Sequence, residues 1–292
     1  MTRAAAEGEL GYLEVASPSA GVATSRVLRF RERQTETVRD AIAVEEPLEI
    51  RISGDPLLVT MRTPGHDHEL CAGLLLAEGL LKNRADLSSI VHCGKLGDEA
   101  YGNTLDVTLA PGVTIDERVF EARRGTTLNA ACGVCGRRTI DDLMRDLPPL
   151  DASARFAAAS LVTLTSGLRK LQPNFDRTGG LHAAGIAAKS GEYCVVREDV
   201  GRHNATDKAI GRLLLDDALP ATNFALVVSG RTSFEIVAKA WRAGISAIVG
   251  VSAPSSLAIA TAERAGILLV GFARANAFNV YAGAARLETA AL

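Results

Sequence analysis

Two cysteines separated by two residues, in Ala131-Cys132-Gly133-Val134-Cys135-Gly136, are the side chains of this 292-residue chain best suited to covalent chemistry. The spacing lets both sulfurs meet on one turn, and the flanking glycines reach backbone conformations closed to other residues. Arg137 and Arg138 follow directly. Their charge, with the positive end of a helix expected to begin near Thr139, favours thiolate over thiol. A thiolate can ligate a metal, cycle through a disulfide or attack a sulfur donor, so three readings stand. Zinc needs four ligands and this pair supplies two, leaving Cys71, Cys93 and His92 to complete a site. A thioredoxin-like pair belongs at a strand-to-helix junction of a βαβ unit, whereas this one lies in a connection between two differently patterned halves. A mobile nucleophilic or sulfur-carrying pair fits that placement.

Three polar stretches compete with the cysteines. From Arg197 to Lys208, polar residues and glycine crowd between a strand pattern and a helix pattern. A capped helix start accounts for Asn204 as the cap and Asp207 as the dipole partner. It leaves Arg202, His203 and Lys208 unexplained, and together these suggest a ligand pocket. Ser229 and Gly230 follow an apolar strand and precede a helix, so free backbone N–H groups there, with Arg231, suit an anion. The Gly-Lys-Ser ending of a Walker loop is absent. Arg274 and Asn276 stand where the last strand of a parallel series ends, the usual ligand-binding edge of an α/β sheet. His66 and His68, with Asp67 and Glu69, have the look of a metal cluster. Capping and solvation of a helix start is the commoner use of such residues, and no metal site is assigned. Cys71 and Cys194 read as small buried hydrophobes.

Residues 1–25 read as a flexible tail. Residues 26–125 read as a small α+β unit: strands over Pro47–Ser53 and Leu57–Arg62, a helix over Glu69–Leu81, then short strands near Ser89–Cys93 and Thr104–Leu109. Residues 126–150 carry the cysteine pair and close on Pro148-Pro149. Residues 151–292 form the larger domain, with helices over Ala152–Leu171 and Asn204–Leu215 around a strand at Tyr193–Val196. Its last third alternates strand and helix: Phe224–Val228, Ser233–Ala243, Ser246–Val251, Ser255–Arg264 and Ile267–Phe272. That alternation means βαβ units on a parallel sheet covered on both faces.

A hydrophobic content of 47% supports a real core, and a net charge of -2 gives no global attraction to nucleic acid or anionic membrane. No apolar run reaches the ~18 residues of a membrane span. The N-terminal residues, with Glu7, Glu9 and Glu14, lack the basic start of a signal peptide. Five cysteines, sparse and odd in number, fit a reducing compartment, so a cytoplasmic location is expected.

Several of these stretches, in this order, closely resemble the FdhD family: Arg62 to Gly73, Ala131 to Arg137, Thr178 to His182, Arg197 to Ala205 and Val228 to Glu235. The family's members are sulfur carrier proteins needed for formate dehydrogenase activity, and the resemblance runs from about Arg26 to Tyr281. It implies a sulfurtransferase. A cysteine desulfurase would pass sulfur to the CxxC pair, with Cys132 as persulfide carrier and Cys135 as second thiol. The sulfur would then reach the bis(molybdopterin guanine dinucleotide) molybdenum cofactor before its insertion into formate dehydrogenase. Phe272, Ala273, Arg274, Ala275, Asn276 and Ala277 match the family's cofactor-binding stretch. A rim of Arg202, His203, Ser229, Arg231 and Arg274 is expected to hold its phosphates. A chaperone that binds the cofactor without moving sulfur is the alternative.

The resemblance also implies a cytidine deaminase-like α/β/α domain behind the smaller N-terminal α+β domain, and a homodimer. Deaminases hold zinc on His-x-Glu and Pro-Cys-x-x-Cys helix starts. The corresponding positions here, at His203 and from Ser229 to Ser233, carry neither the glutamate nor the cysteines. Neither deamination nor a permanent metal is expected.

Overall fold

The computed structural model describes residues 21–94, 102–115, 127–128, 147–274 and 276–288. Its centre is a six-stranded sheet in the order β10 (Tyr193–Asp199), β9 (His182–Ala188), β11 (Phe224–Val228), β12 (Ala247–Gly250), β13 (Leu268–Arg274) and β14 (Ala277–Ala282). Strands β11, β12 and β13 run parallel, while β9, β10 and β14 pair antiparallel with their neighbours. The expected parallel series is therefore the middle of a mixed sheet.

Apolar residues fill successive positions of the central strands because both faces are covered. Ala183, Ala225, Val227, Val249 and Val270 pack under Leu161, Leu164 and Leu168 of α2 (Ala158–Lys170). Ala184, Ile186, Leu226 and Ile248 face the opposite side. There they meet α4 (Arg202–Leu215), α5 (Phe234–Arg242) and α6 (Ser256–Ala265). The result is an α/β/α arrangement.

The N-terminal half is built on the same core. Its five-stranded sheet has the order β5 (Leu87–His92), β6 (Thr104–Leu109), β3 (Glu46–Ile52), β4 (Asp55–Arg62) and β7 (Thr127–Leu128). Leu48, Ile50, Leu57 and Leu105 from this sheet belong to the same buried cluster as the residues of α4 and α5. Helix α1 (Asp67–Ala77) joins the two halves and is buried almost throughout from Leu70 to Leu76. A helix apolar on all sides is a core helix. It crosses α4 at two glycines: a methyl on Gly73 would run into the Asp207 backbone, and one on Gly211 into the Glu69 carbonyl. No other residue type permits so close a crossing.

Several boundaries differ from expectation for local reasons. Helix α1 stops at Ala77 and not at Leu81, because Gly79 turns left-handed (φ 70) and the Leu80 N–H bonds back to the Leu75 carbonyl. Helix α2 begins at Ala158, because Phe156–Ala157 (β8) is drawn into a short ladder with Leu287–Glu288 (β15). Helix α4 begins at Arg202, capped by Gly201. Asn204 is not the cap; its amide donates to the Met61 carbonyl and the Asp199 carboxylate. Strand β1 (Val22–Arg31) starts inside the stretch read as a tail and forms a hairpin with β2 (Gln34–Ala43). Its turn residues, Glu32 (φ 49) and Arg33 (φ 67), adopt conformations that asparagine and glycine usually supply, so no turn signal marked it. Among the described residues no helix is long and apolar enough to cross a membrane.

A Gly211→Ala variant is expected to lose about 3 kcal/mol of unfolding free energy, the upper range for overpacking a core. Urea denaturation beside the wild type measures it, and equal midpoints would contradict the tight crossing.

Candidate functional site

The polar motifs of the two halves meet each other before they meet any ligand. Asp199 is fully buried. It accepts from Lys208 Nζ at 2.7 Å, the Gly201 N–H at 2.8 Å, and Asn204 Nδ2 and the Thr63 N–H at 3.1 Å. Lys208 also donates to the Thr63 carbonyl at 2.7 Å, and the Thr63 hydroxyl accepts from the Val200 N–H. Arg62 is buried against Asp67 through two hydrogen bonds of 3.1 and 3.0 Å, and reaches Asn103 at 2.9 Å. Arg197 grips both oxygens of Glu69. Lys239 holds both oxygens of Asp207, at 2.6 and 2.7 Å.

Each of these buried charges thus has an opposite partner, without which burial would be prohibitive. Of the residues that suggested a ligand pocket between Arg197 and Lys208, Lys208 is spent on this joint, as are Arg197, Asn204 and Asp207. In the His66 to Glu69 stretch the carboxylates are likewise engaged, Asp67 by Arg62 and Glu69 by Arg197. Among the described residues no group of three or more metal-ligating side chains comes together.

A ligand-sized space lies beside this joint. A cavity of about 600 Å³ opens at the edge where β11, β12 and β13 end and the antiparallel β9 begins. Leu168, Leu181, Val251 and Ala273 give it apolar walls; Ser229, His182, Arg169 and Arg274 give it polar ones. Helix α3 (Pro173–Thr178) closes one side, its first N–H groups held by the Glu198 carboxylate at 3.0 and 2.7 Å. The Thr165 hydroxyl fixes the Ala273 carbonyl at 3.0 Å.

The expected rim residues are distributed unevenly around this cavity. Ser229, Ala273 and Arg274 line it. Phe272 is 42% exposed on a β-bulge with φ 51, a conformation rare for an aromatic residue. Asn276 and Ala277 are exposed at the following turn, and Ala275 lies outside the described residues. The Ser229 N–H is not free for an anion, since it donates to the Ala183 carbonyl. Arg231 is exposed and does not line the cavity. His203 is buried beside Ser233, with Nε2 3.3 Å from its hydroxyl and 3.9 Å from Glu235. Arg202 is half-buried next to Gly230. His182 is the wall residue that motif reading passed over. It stands at the first position of β9, where only the sheet's topology brings it to the cavity. Burial first, and then the neighbouring Arg202, depress its pKa below the ordinary histidine value.

Cys132 and Cys135, with Arg137 and Arg138, lie outside the described residues. The flanks of their connection do not. Thr127–Leu128 pairs in parallel with Val59–Thr60, running in the direction of Arg62 and Thr63. After it, Trp241 Nε1 holds the Pro148 carbonyl at 2.8 Å.

A model of the FdhD/NarQ family matches residues 43–288, most of the chain. The chain belongs to the FdhD/NarQ family. It is 47% identical over 287 residues to a protein of Anaeromyxobacter dehalogenans described as a sulfur carrier protein FdhD, covering 96% of this chain and 98% of that one. A protein of Streptomyces coelicolor with the same description is 46% identical, over 90% of this chain and 94% of its own. The crystal structure of a formate dehydrogenase accessory protein from Desulfotalea psychrophila superposes with a TM-score of 0.71 over 91% of this chain and 98% of that one. At 24% identity it supports the fold. The mixed α/β architecture matches the family expectation and is compatible with a cytidine deaminase-like core.

The joint has a pH signature. Burial works against ionisation of Glu69, but hydrogen bonds from Arg197 and His66 outweigh it and leave its pKa at about 2. A carboxylate depressed in the folded state stabilises above its unfolded value of about 4.3, and that contribution is lost as pH falls toward the folded value. Unfolding free energy should therefore fall between pH about 4.3 and about 2. In Glu69→Gln that part of the slope should be missing; an unchanged slope would contradict the pairing.

Proposed function

We propose that this chain is a sulfur carrier serving formate dehydrogenase. In this reading it takes sulfur from a cysteine desulfurase on Cys132 or Cys135 and delivers it to the bis(molybdopterin guanine dinucleotide) molybdenum cofactor. The observation that carries the proposal is the combination, in one chain, of a CxxC pair with a cationic-rimmed cavity of about 600 Å³. The relatives described as sulfur carriers support it.

The first step is a thiol exchange. The Cys132 thiolate attacks the outer sulfur of the desulfurase persulfide; a new S–S bond forms, the old one breaks, and the desulfurase cysteine departs as thiolate. In the second step the Cys135 thiolate attacks Cys132, closing a disulfide and expelling the outer sulfur as hydrosulfide. The carried sulfur is thereby reduced and the pair oxidised, so a dithiol reductant must reopen the disulfide before the next cycle. This use of two thiols accounts for a pair where a simple carrier needs one.

The acceptor's chemistry fits the cavity. Apolar walls from Leu168, Val251 and Ala273 suit a flat heterocycle, and Arg274 with Arg169 suits phosphate. The bound cofactor would supply the metal that receives the sulfur. The proposed activity is cytoplasmic, a reading that the reducing conditions required by a thiol pair support, and a homodimer is the expected assembly.

A Cys132→Ala, Cys135→Ala double variant should leave formate dehydrogenase without measurable activity in a strain lacking the native gene, while the protein accumulates normally. Full rescue by that variant would remove sulfur transfer and leave a cofactor-binding chaperone.

A further inference from the structure

The hairpin of β1 and β2 is the element that neither the sulfur chemistry nor the joint uses. Among the described residues its strands pair only with each other. The root is held: Val22 and Ala23 are buried, the Val44 N–H donates to the Gly21 carbonyl, and the hairpin packs chiefly on α3. From Phe30 to Thr37 every residue is exposed, so the arm stands clear of the body. Opposed residues of an antiparallel pair share a face, as do residues two apart. The pairs Arg26–Arg39, Leu28–Thr37 and Phe30–Thr35 therefore form one face, exposed at all six positions. Leu28 and Phe30 are each 67% exposed. A two-stranded ribbon is marginal in water without cover. Neighbouring exposed apolar side chains on such a ribbon mark an interaction surface.

We propose that this face docks on a second copy of the chain, each protomer laying its arm along the body of the other. The inference rests on the homodimer expected above and assigns its interface. Charge favours this occupant. Arg26, Arg29, Arg31, Arg33 and Arg39 against Glu32, Glu36 and Asp40 give the hairpin +2; with -2 on the whole chain, the remainder carries -4. Arm against arm sets like charges together, whereas arm against body sets opposite ones. Size agrees. A closed two-fold pair uses the same patch on both copies. The arm from Arg26 to Arg39 supplies about fourteen residues, and the surface receiving the partner's arm a similar number, against the roughly 20–30 a side of a stable interface. Leucine and phenylalanine between arginines also suit the centre of an interface. A lipid bilayer fits less well: it would meet the tip, where Glu32 stands, while the apolar pair lies along the ribbon's side.

Sedimentation equilibrium of the full chain over a micromolar concentration series reads the dimer directly. The wild type should be dimeric. A Leu28→Ser, Phe30→Ser double variant should weaken dimerisation by about a hundredfold, as the loss of two interface anchors does. Neither side chain is buried in the protomer, so the variant's far-ultraviolet circular dichroism should match that of the wild type. An Arg26→Glu, Arg31→Glu variant keeps the apolar pair and reverses the arm's charge; it should weaken dimerisation by about tenfold. That variant decides the matter if the first fails to fold. A wild-type dimer that both variants reproduce would overturn the docking arm and leave the homodimer. A monomeric wild type would remove both, and its sedimentation with phosphatidylglycerol vesicles would give the exposed face to a membrane.

Discussion

Asp199 is fully buried and paired with Lys208, and everything around it is arranged to make that burial tolerable. Its lysine, Lys208, comes from α4; its amide donors come from the turn that starts α4 and from Thr63 in the other half of the chain. One carboxylate therefore sets where α4 begins, how the N-terminal half docks, and how Gly201 and Arg202 stand at the rim. Removing one partner of such a buried pair typically costs about 3–5 kcal/mol, because the remaining charge is stranded. The neighbouring residues of β10 act in the same way on other elements. Glu198 holds the first turn of α3, and Arg197 clamps Glu69 of α1. Three successive side chains thus fix the cavity's wall, its mouth and the seam behind it.

Chemistry and architecture are kept apart by this arrangement. The charged motifs are mostly consumed in holding the halves together, and the cavity beside them keeps few polar groups, each with spare capacity. Arg202 has an unused donor, the Ser229 hydroxyl has a free hydrogen, and His182 has an unengaged ring. The cysteine pair sits on a separate connection, tied at one end to the edge of the five-stranded sheet and at the other to Trp241. A carrier that must meet both a donor enzyme and a large acceptor gains from that separation.

The last third of the chain was legible because its apolar runs and helix patterns match the period of each element; Phe224–Val228 lies where the pattern puts it. The hairpin of β1 and β2 was not, since Glu32 and Arg33 occupy a turn that residue type does not announce. At the site, Arg274 and Ser229 could be placed from strand ends alone. The roles of Asn204, Asp207 and Lys208 could not, because their partners Met61, Lys239 and Thr63 are distant in sequence. A buried ion-pair network and a ligand pocket draw on the same residue types, and only packing separates them. His182 ends the stretch from Thr178 with no chemical signal of its own, for it is a strand's first residue and gains meaning only beside Gly230 and Arg202.

The proposed function depends on the CxxC pair carrying sulfur. Its most direct test is mass spectrometry of the purified chain after incubation with a cysteine desulfurase and cysteine, followed by peptide mapping. A gain of one sulfur atom on the peptide containing Cys132 and Cys135, reversed by a thiol reductant, is the predicted result. An unmodified pair under conditions in which the desulfurase turns over would contradict the account.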